Sequence, residues 1–511
     1  MTRQVTTLAR APALLALATI MLAVLAGLGP IAAMGLTSGF SAFDSYIFSV
    51  IRFTLLQAFL STLLSIIIAI PMARALVRRR FMGRSLVIRL LSLPLALPAI
   101  VAVLGIVEIF GAHGILGGVI PIYGLAGILI AHVFFNFPLA ARMGLAALDS
   151  VPAESYRLGA QLGFSGRDVW RRIERPRIAA MLPGAALLIF LLCAASFTIV
   201  LTLGGGPGAT TLEVAIYQAL RFDFDPARAT MLSLVQMALC AGLVFLTQRF
   251  SGTLPAWPSF KTRSVRYDGR SMSSKLGDGL AIGVGLAILV PPLIAVVISG
   301  LANLNLASDL ARAIVTSIVL GLSAAALSFA LCWPMARLAA ASRTGRRFAM
   351  TAVLAGFILP PAVLATGWFI LLSRFADVTG LAPLLVLAMN ALMALPFSYN
   401  VLAPAVAQAA AQNGRLCASL GLQGFTRFRL IDLPLLRRPI GLALVMGAIV
   451  SLGDLTAITF FGAQDFVTLP ALIYRQMGSY RMASASGTAL ILAAMALALV
   501  ALADRWSRRD D

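Results

Sequence analysis

Charge is scarce in this 511-residue sequence: 12% of its residues are Asp, Glu, Lys or Arg, about half the share usual in soluble domains. Acids are scarcer still, 19 against 40 Lys plus Arg. There are two histidines, His113 and His132, and four cysteines, Cys193, Cys240, Cys332 and Cys417, all far apart. With no CxxC pair and no Cys/His cluster, neither a disulfide framework nor a metal site is indicated. Each His reads as a packing or interface residue. No G-x-x-x-x-G-K-[ST] phosphate loop occurs, and the glycine-rich "LTLGGGPG" (201–208) lacks its lysine, so it is not a nucleotide site.

What fills the chain is apolar: 60% hydrophobic residues and a mean hydropathy of +0.95. Runs of about 20 apolar residues are what bilayer-crossing helices need, and they recur along the whole length. They are continuous rather than alternating, which excludes a transmembrane barrel. The runs fall near 11–36, 52–77, 86–110, 122–146, 179–203, 229–248, 277–302, 311–337, 349–373, 382–404, 439–461 and 485–504. The expected fold is an all-α polytopic membrane protein of about 12 transmembrane helices.

A net charge of +21 would point to nucleic acid in a soluble chain. Here 33 of the 40 Lys and Arg sit in seven segments: 1–10, 74–89, 142–177, 249–275, 337–347, 415–438 and 505–509. These alternate with basic-poor segments. The positive-inside rule places the rich ones in the cytoplasm, both termini with them, so the partner is a lipid bilayer and not nucleic acid. The first apolar run exceeds a typical signal-peptide h-region and is expected as an uncleaved helix.

The sequence also repeats itself. "RLGAQLG" (157–163) returns as "RLCASLG" (415–421), and "PMAR" at Pro71–Arg74 returns at Pro334–Arg337. "LPA" at Leu97–Ala99 is answered by "PPA" at Pro360–Ala362, Pro138 by Pro396, and "TLEVAIYQ" (211–218) by "TLPALIYR" (468–475). A collinear series of this kind indicates a tandem duplication. Its halves, 1–255 and 277–511, share one membrane orientation and are joined by a cytosolic linker, 256–276. Such halves pair about an axis along the membrane normal.

The repeated polar phrase extends to "RLGAQLGFSGRDVWRRIERP" (157–176) and "RLCASLGLQGFTRFRLIDLP" (415–434), each with Gly thirteen residues before Pro. The Gly permits a turn between two short helices, and the Pro starts a new element. Apolar side chains such as Leu162, Phe164, Leu420, Leu422 and Phe425 call for a partner surface. The alternative is a pair of amphipathic loops resting on the lipid.

This spacing resembles the coupling loop of ATP-binding-cassette importer permeases, "EAA…G…I.LP", through Gly163, Ile173 and Pro176 in one copy and Gly421, Ile431, Leu433 and Pro434 in the other. The Glu-Ala-Ala start is replaced by Arg157-Leu158-Gly159 and Arg415-Leu416-Cys417, and the usual Leu before the Pro is Arg175 in the first copy. The family's acidic anchor is therefore not carried over. The resemblance implies that loops 148–178 and 406–436 dock on two copies of a cytosolic ATPase subunit. The contact residues implied are Arg157, Leu162, Gly163, Phe164, Ile173, Pro176, Arg415, Leu420, Gly421, Leu422, Ile431 and Pro434. ATP binds the partner, so this chain is a transport subunit and not an enzyme, with no cofactor of its own.

Further stretches, among them "RFTLLQAFLSTLLSIIIAIPMARAL", "AHVFFNFP", "LGGGPGATTLEVAIYQAL" and "TLPALIYRQMGSYR", resemble the thiamine permeases of that family along essentially the whole chain. That implies an inner-membrane subunit receiving thiamine, or its phosphates, from a periplasmic thiamine-binding protein. A ferric-iron permease of the same superfamily is the alternative. A secondary cation symporter is the rival from another class, but it would be expected to keep ion sites in both repeats.

Ionisable groups inside spans usually face a cavity or partner. Asp454 in "SLGDLTAITF" and Glu108 are the candidates for a substrate path. Asn136, Asn390, Tyr399 and Trp368 would add polar or stacking contacts. Helix–helix hydrogen bonds are the plainer use of the Asn and Trp residues. The counterpart of Asp454 falls at Ala195–Phe197, so the pair is not symmetric. Segments 204–228 and 462–484 are expected as short outer helices. There Glu213, Asp223, Asp225, Asp465, Arg475 and Arg481 form rim charges for a docking protein, or the segments form a re-entrant cap.

Overall fold

A computed structural model describes residues 10–38, 44–112, 114–119, 121–251, 268–269, 271–304, 308–462 and 466–507. His113, Asp465 and most of the linker 256–276 lie outside them. The described residues form helices and no strands.

The first series of helices is α1 (Arg10–Ser38), α2 (Ser45–Arg78), α3 (Arg84–Leu90), α4 (Leu93–Ala96), α5 (Ala99–Phe110), α6 (Leu125–Asp149), α7 (Ala153–Gln161), α8 (Gly166–Val169), α9 (Arg175–Ala194), α10 (Thr198–Leu203), α11 (Leu212–Arg221) and α12 (Pro226–Ser251). The second is α13 (Met272–Ala302), α14 (Ser308–Ala341), α15 (Arg343–Ile358), α16 (Pro361–Leu372), α17 (Ala382–Ser419), α18 (Gly424–Arg427), α19 (Leu433–Leu435), α20 (Arg437–Leu452), α21 (Thr456–Phe461), α22 (Leu469–Gly478) and α23 (Met482–Ser507). Nine of the described helices are long and apolar enough to cross a membrane, or eleven if each of two bent pairs is one span. The chain is thus an all-α, multi-pass membrane protein, with fewer uninterrupted spans than the twelve apolar runs.

Proline accounts for the difference. The run 86–110 bends by 110° between α4 and α5, and the run 349–373 is split into α15 and α16. Pro98 and Pro360 sit at these breaks, and the residues before them, Leu97 and Leu359, are extended (φ −91°, ψ 133° and φ −101°, ψ 96°). A residue preceding Pro is pushed out of the helical region by the ring. Likewise Pro152 stands between α6 and α7, whereas α17 runs through the matching position, Ala410.

The first helix of each series packs on the other series. Trp368 Nε1 of α16 donates to the Ala23 carbonyl of α1 at 2.9 Å, and Gly367 lies against Gly27. Reciprocally, Gly105 of α5 meets Val296 and the Pro292 carbonyl of α13. Glycine at Gly367 and Gly105 lets the backbones approach closely, as small residues do between membrane helices. At one end of α2, Arg78 and Arg79 both bind the buried Asp278 of α13, and Arg79 also bonds the Gly269 carbonyl and Ser274 Oγ (2.8 Å). Asp268 lies 3.8 Å from Arg78. The matching positions at the end of α14 and just beyond it are Ala341 and Ser342, which carry no cation.

Polarity along the bundle follows from α2 and α14. Thr54 Oγ1 accepts the Leu212 amide of α11 at 3.0 Å, while Arg74 pairs with Glu174 at 2.6 Å. In the second series Ser317 Oγ accepts the Leu469 amide of α22 at 2.8 Å, and Arg337 reaches Asp432 at 3.5 Å. Twenty helical residues separate each hydroxyl from its arginine, which is about 30 Å and close to the hydrocarbon thickness of a bilayer. Helices α11 and α22 therefore lie at one end of the bundle, and the repeated polar phrases at the other.

Candidate translocation cavity and elbows

The helix breaks open a cavity between the two series. Its volume is about 430 Å³, and it is lined by Leu97–Ala99 at the α4–α5 break, Pro360 and Pro361 at the start of α16, Ala195–Ile199 at the α9–α10 break, and Gly453–Thr456 at the α20–α21 break. Breaks from both series line it, and Gly453 of one lies against Pro98 of the other. Phe197, Phe397, Asn390 and Met393 complete a largely apolar wall. The one carboxylate in it is Asp454. Its counterpart by repeat, Ser196, also lines the cavity.

Asp454 is half-buried and already has a structural task. Oδ1 accepts the Thr456 amide at 3.0 Å and Oδ2 the Ala457 amide at 3.1 Å. The side chain thus accepts the first two amides of α21 from the residue before its N-cap, Leu455. A carboxylate accepting backbone amides stays oriented, here at a break that the cavity reaches.

The other candidates are dispersed. Asn390 lies with Asp454 on the cavity wall, and its Nδ2 donates to Ser451 Oγ at 2.9 Å. Asn136 is buried in helix packing, donating to the His132 carbonyl (2.9 Å) and to Cys193 Sγ (3.3 Å). Glu108 accepts from Ser299 at 3.0 Å and from Ser486, where α5 meets α13 and α23. Tyr399 is buried within α17, and Trp368 serves the α1–α16 contact. These four are not among the cavity-lining residues.

At the α11 and α22 end, Asp223, Arg475 and Arg481 are exposed and Asp225 is half-buried. Asp225 Oδ1 accepts the Arg228 amide at 2.9 Å. Glu213 corrects the sequence expectation: it is fully buried and bonded to Gln236 Nε2 at 3.2 Å, so it is no rim charge. The amphipathic α11 turns Glu213 inward, against α12.

At the opposite end the two polar phrases fold alike. Gly163 (φ +69°) and Gly421 (φ +63°) follow the ends of α7 and α17 in the left-handed region. Phe164 N bonds the Gly159 carbonyl and Gly163 N the Ala160 carbonyl, at 2.9 and 3.2 Å. Leu422 N bonds Cys417 and Gly421 N bonds Ala418, at 2.9 and 3.3 Å. This pair of bonds is the Schellman end, which a Cβ at the left-handed position would strain. Val151, Tyr156 and Val169 form a small core under the first elbow, with Phe164 and Ile173 packed on it. A Cβ at Gly159 would lie 3.1 Å from the Phe164 ring. The second elbow has the reverse pairing of sizes, buried Cys417 with Leu422. Leu162 and Leu420 stand out into solvent, 63% and 62% exposed, with Phe425 and Leu416 beside the latter. Arg157 and Arg415 are exposed as well, and Ile173 and Ile431 half-buried.

Each elbow rejoins the bundle through one widened turn, Trp170–Glu174 or Phe428–Asp432, closed by an i→i+5 bond from Arg175 N to Trp170 O or from Leu433 N to Phe428 O. Pro176 and Pro434 follow directly. Beyond them α8 to α9 continues as one span, whereas α20 turns away by 91° after Leu436. Pro439 explains the difference: its ring would clash with the Leu435 carbonyl in a continuous helix, and Met181 stands at that place in the first copy. The buried acids Glu174 and Asp432 at these turns went unnoticed in the sequence. Their signal was there, since Arg74 and Arg337 end the repeated "PMAR" and the acids stand at matching places two residues before the repeated Pro.

Fold, central cavity and paired elbows describe a two-series membrane permease. No family model matches the chain. Among curated proteins, it is 46% identical over 518 aligned positions to the thiamine transport system permease protein ThiP of Brucella abortus (strain 2308), covering 96% of this chain and 94% of that protein. It is 41% identical to the ThiP of Escherichia coli (strain K12), covering 91% and 90%. With that of Haemophilus influenzae the identity is 37%, covering 92% and 90%. The chain belongs to the thiamine transport system permease family.

Proposed function

We propose that this chain is the membrane-spanning subunit of an ATP-driven importer that passes thiamine, or its phosphates, inward through the cavity at Asp454. Two six-span halves, 1–255 and 277–511, are joined at 256–276. Elbows 148–178 and 406–436 each dock on one of two identical ATPase subunits. Both termini lie in the cytoplasm of an inner-membrane protein, and a periplasmic thiamine-binding protein delivers substrate at the α11 and α22 end.

The single observation that carries this reading is the near full-length identity to proteins named thiamine transport system permeases. The twin elbows, with exposed Leu162 and Leu420 at the end rich in arginine, support the ATPase contact. The cavity suits the cargo chemically. Thiamine carries one delocalised positive charge on an aromatic ring, and the wall offers one carboxylate with Phe197 and Phe397. Ferric iron, a hard cation best held by several oxygen ligands, fits that wall less well.

The test is uptake of labelled thiamine at nanomolar concentration in a thiamine-requiring strain, with and without the gene, and with ferric-iron uptake measured alongside. Loss of thiamine uptake alone supports the reading. Loss of iron uptake alone keeps the transporter class and overturns the cargo.

A further inference from the structure

The arginines that close the two "PMAR" repeats are mostly turned inward, half-buried against acids. Arg74 Nε holds Glu174 Oε2 at 2.6 Å, and Glu174 is fully buried. The same guanidinium donates through Nη2 to the Gly166 carbonyl at 3.2 Å and lies over the Trp170 ring, 5.0 Å from its centroid. It thus touches the start, middle and end of the segment that leads from the elbow turn to the span. In the second series Arg337 Nη1 reaches Asp432 Oδ2 at 3.5 Å, and Arg427 Nε reaches Oδ1 at the same distance. Asp432 is also buried. Trp333 of α14 takes part here, edge-on to Phe428 at 4.9 Å.

The location of these pairs is what gives them consequence. Each acid is the last residue of a widened turn. Such turns are rare, and they cluster where a helix serves function. An elbow joined to its span only through that turn would hinge there, and a push on the elbow would be lost as local bending. An ion pair to a different long helix removes that freedom. Buried acids also tolerate no easy alternative, because an unpaired buried carboxylate is strongly disfavoured.

We propose that Arg74–Glu174 and Arg337–Asp432 are struts, positioning pairs that make each elbow move as one body with α2 or α14 and so carry the ATPase stroke into the bundle. The proposal rests on the reading of the elbows as ATPase docks. It concerns transmission, not docking: the exposed elbow residues are untouched by it.

The experiment uses the full chain, co-expressed with the ATPase, reconstituted in liposomes with the binding protein. The variant is Glu174→Gln with Asp432→Asn, which keeps shape and removes charge. ATPase retention and thiamine imported per ATP hydrolysed are measured together. The strut predicts normal ATPase retention and a fall of about tenfold in thiamine per ATP, in the range found for residues that carry coupling. It also predicts that the exchanged pair, Arg74→Glu with Glu174→Arg, recovers much of the loss that either single change causes. Unchanged thiamine per ATP in a fully assembled complex overturns the strut while leaving the proposed function intact. ATPase loss in step with transport overturns it too, since the pairs would then merely hold the elbow's shape. A wild-type chain that retains no ATPase overturns both.

Discussion

Replacing Gly163 and Gly421 together by alanine isolates the elbow turns from everything around them. Both residues sit at positive φ, +69° and +63°, and an added Cβ would meet nothing within 4 Å at either. Contact is therefore not the cost; backbone conformation is. A residue with a Cβ in the left-handed region is disfavoured by about 1–2 kcal/mol. The two turns lie in different series, each serving its own ATPase subunit in the proposed assembly, so each subunit's docking bears about 1–2 kcal/mol. If docking requires the turn as folded, association of each ATPase subunit should weaken by about 5- to 30-fold. The assay is titration of ATPase onto the purified permease, or its retention on an affinity-tagged permease through a wash series. The paired control is Gly163→Asn with Gly421→Asn, because Asn tolerates the left-handed region far better than Ala. It is larger than Ala, so it also tests whether bulk rather than conformation matters. An alanine pair that binds like wild type refutes the reasoning, and so does an asparagine pair that binds no better than the alanine pair.

Asp454→Asn keeps one acceptor oxygen, at 3.0 Å from the Thr456 amide and 3.4 Å from the Ala457 amide, and removes the charge. Thermal stability should fall by no more than about 1 kcal/mol while thiamine uptake falls; normal uptake would take the carboxylate off the path. Asp454→Ala should lose both amide bonds and about 1–2 kcal/mol of stability, read by thermal unfolding in detergent. Gly159→Ala crowds the Phe164 ring at 3.1 Å, so it should not deliver the gain of about 1 kcal/mol that alanine usually brings to a helix. Adding Phe164→Leu should release that gain as a higher melting temperature, and no rise would mean that the pairing of sizes is accidental. Trp368→Phe deletes the bond to the Ala23 carbonyl and should lower stability by about 1 kcal/mol without changing uptake, since Trp368 lies outside the cavity.

The helical membrane fold was legible because hydropathy is a local signal, summed over twenty residues at a time. The interruptions were harder. Apolar residues continue straight through the run 349–373, and only Pro360 marks that α15 stops and α16 begins elsewhere. Those interruptions build the cavity, so the candidate site was the less visible part. Asp454 stood out as an acid in an apolar run, but no periodicity placed Leu97 or Pro360 opposite it. Asn136 and Glu108 show the converse. Intramembrane polarity flagged them, and hydrogen bonds to Cys193 and to Ser299 and Ser486 account for them as helix contacts. Arg74 and Glu174 are separated by a hundred positions. A pairing at that range leaves no trace in any local pattern, only in the fact that both ends recur.

The grip of Arg78 and Arg79 on Asp278 has no twin among the described residues, because Ala341 and Ser342 occupy the corresponding places. The α2–α13 seam thus rests partly on charge, whereas the α1–α16 seam rests on close packing and one neutral hydrogen bond. Two edges of similar outline are held by unlike chemistry, so a change of charge would be felt at one and a change of side-chain size at the other.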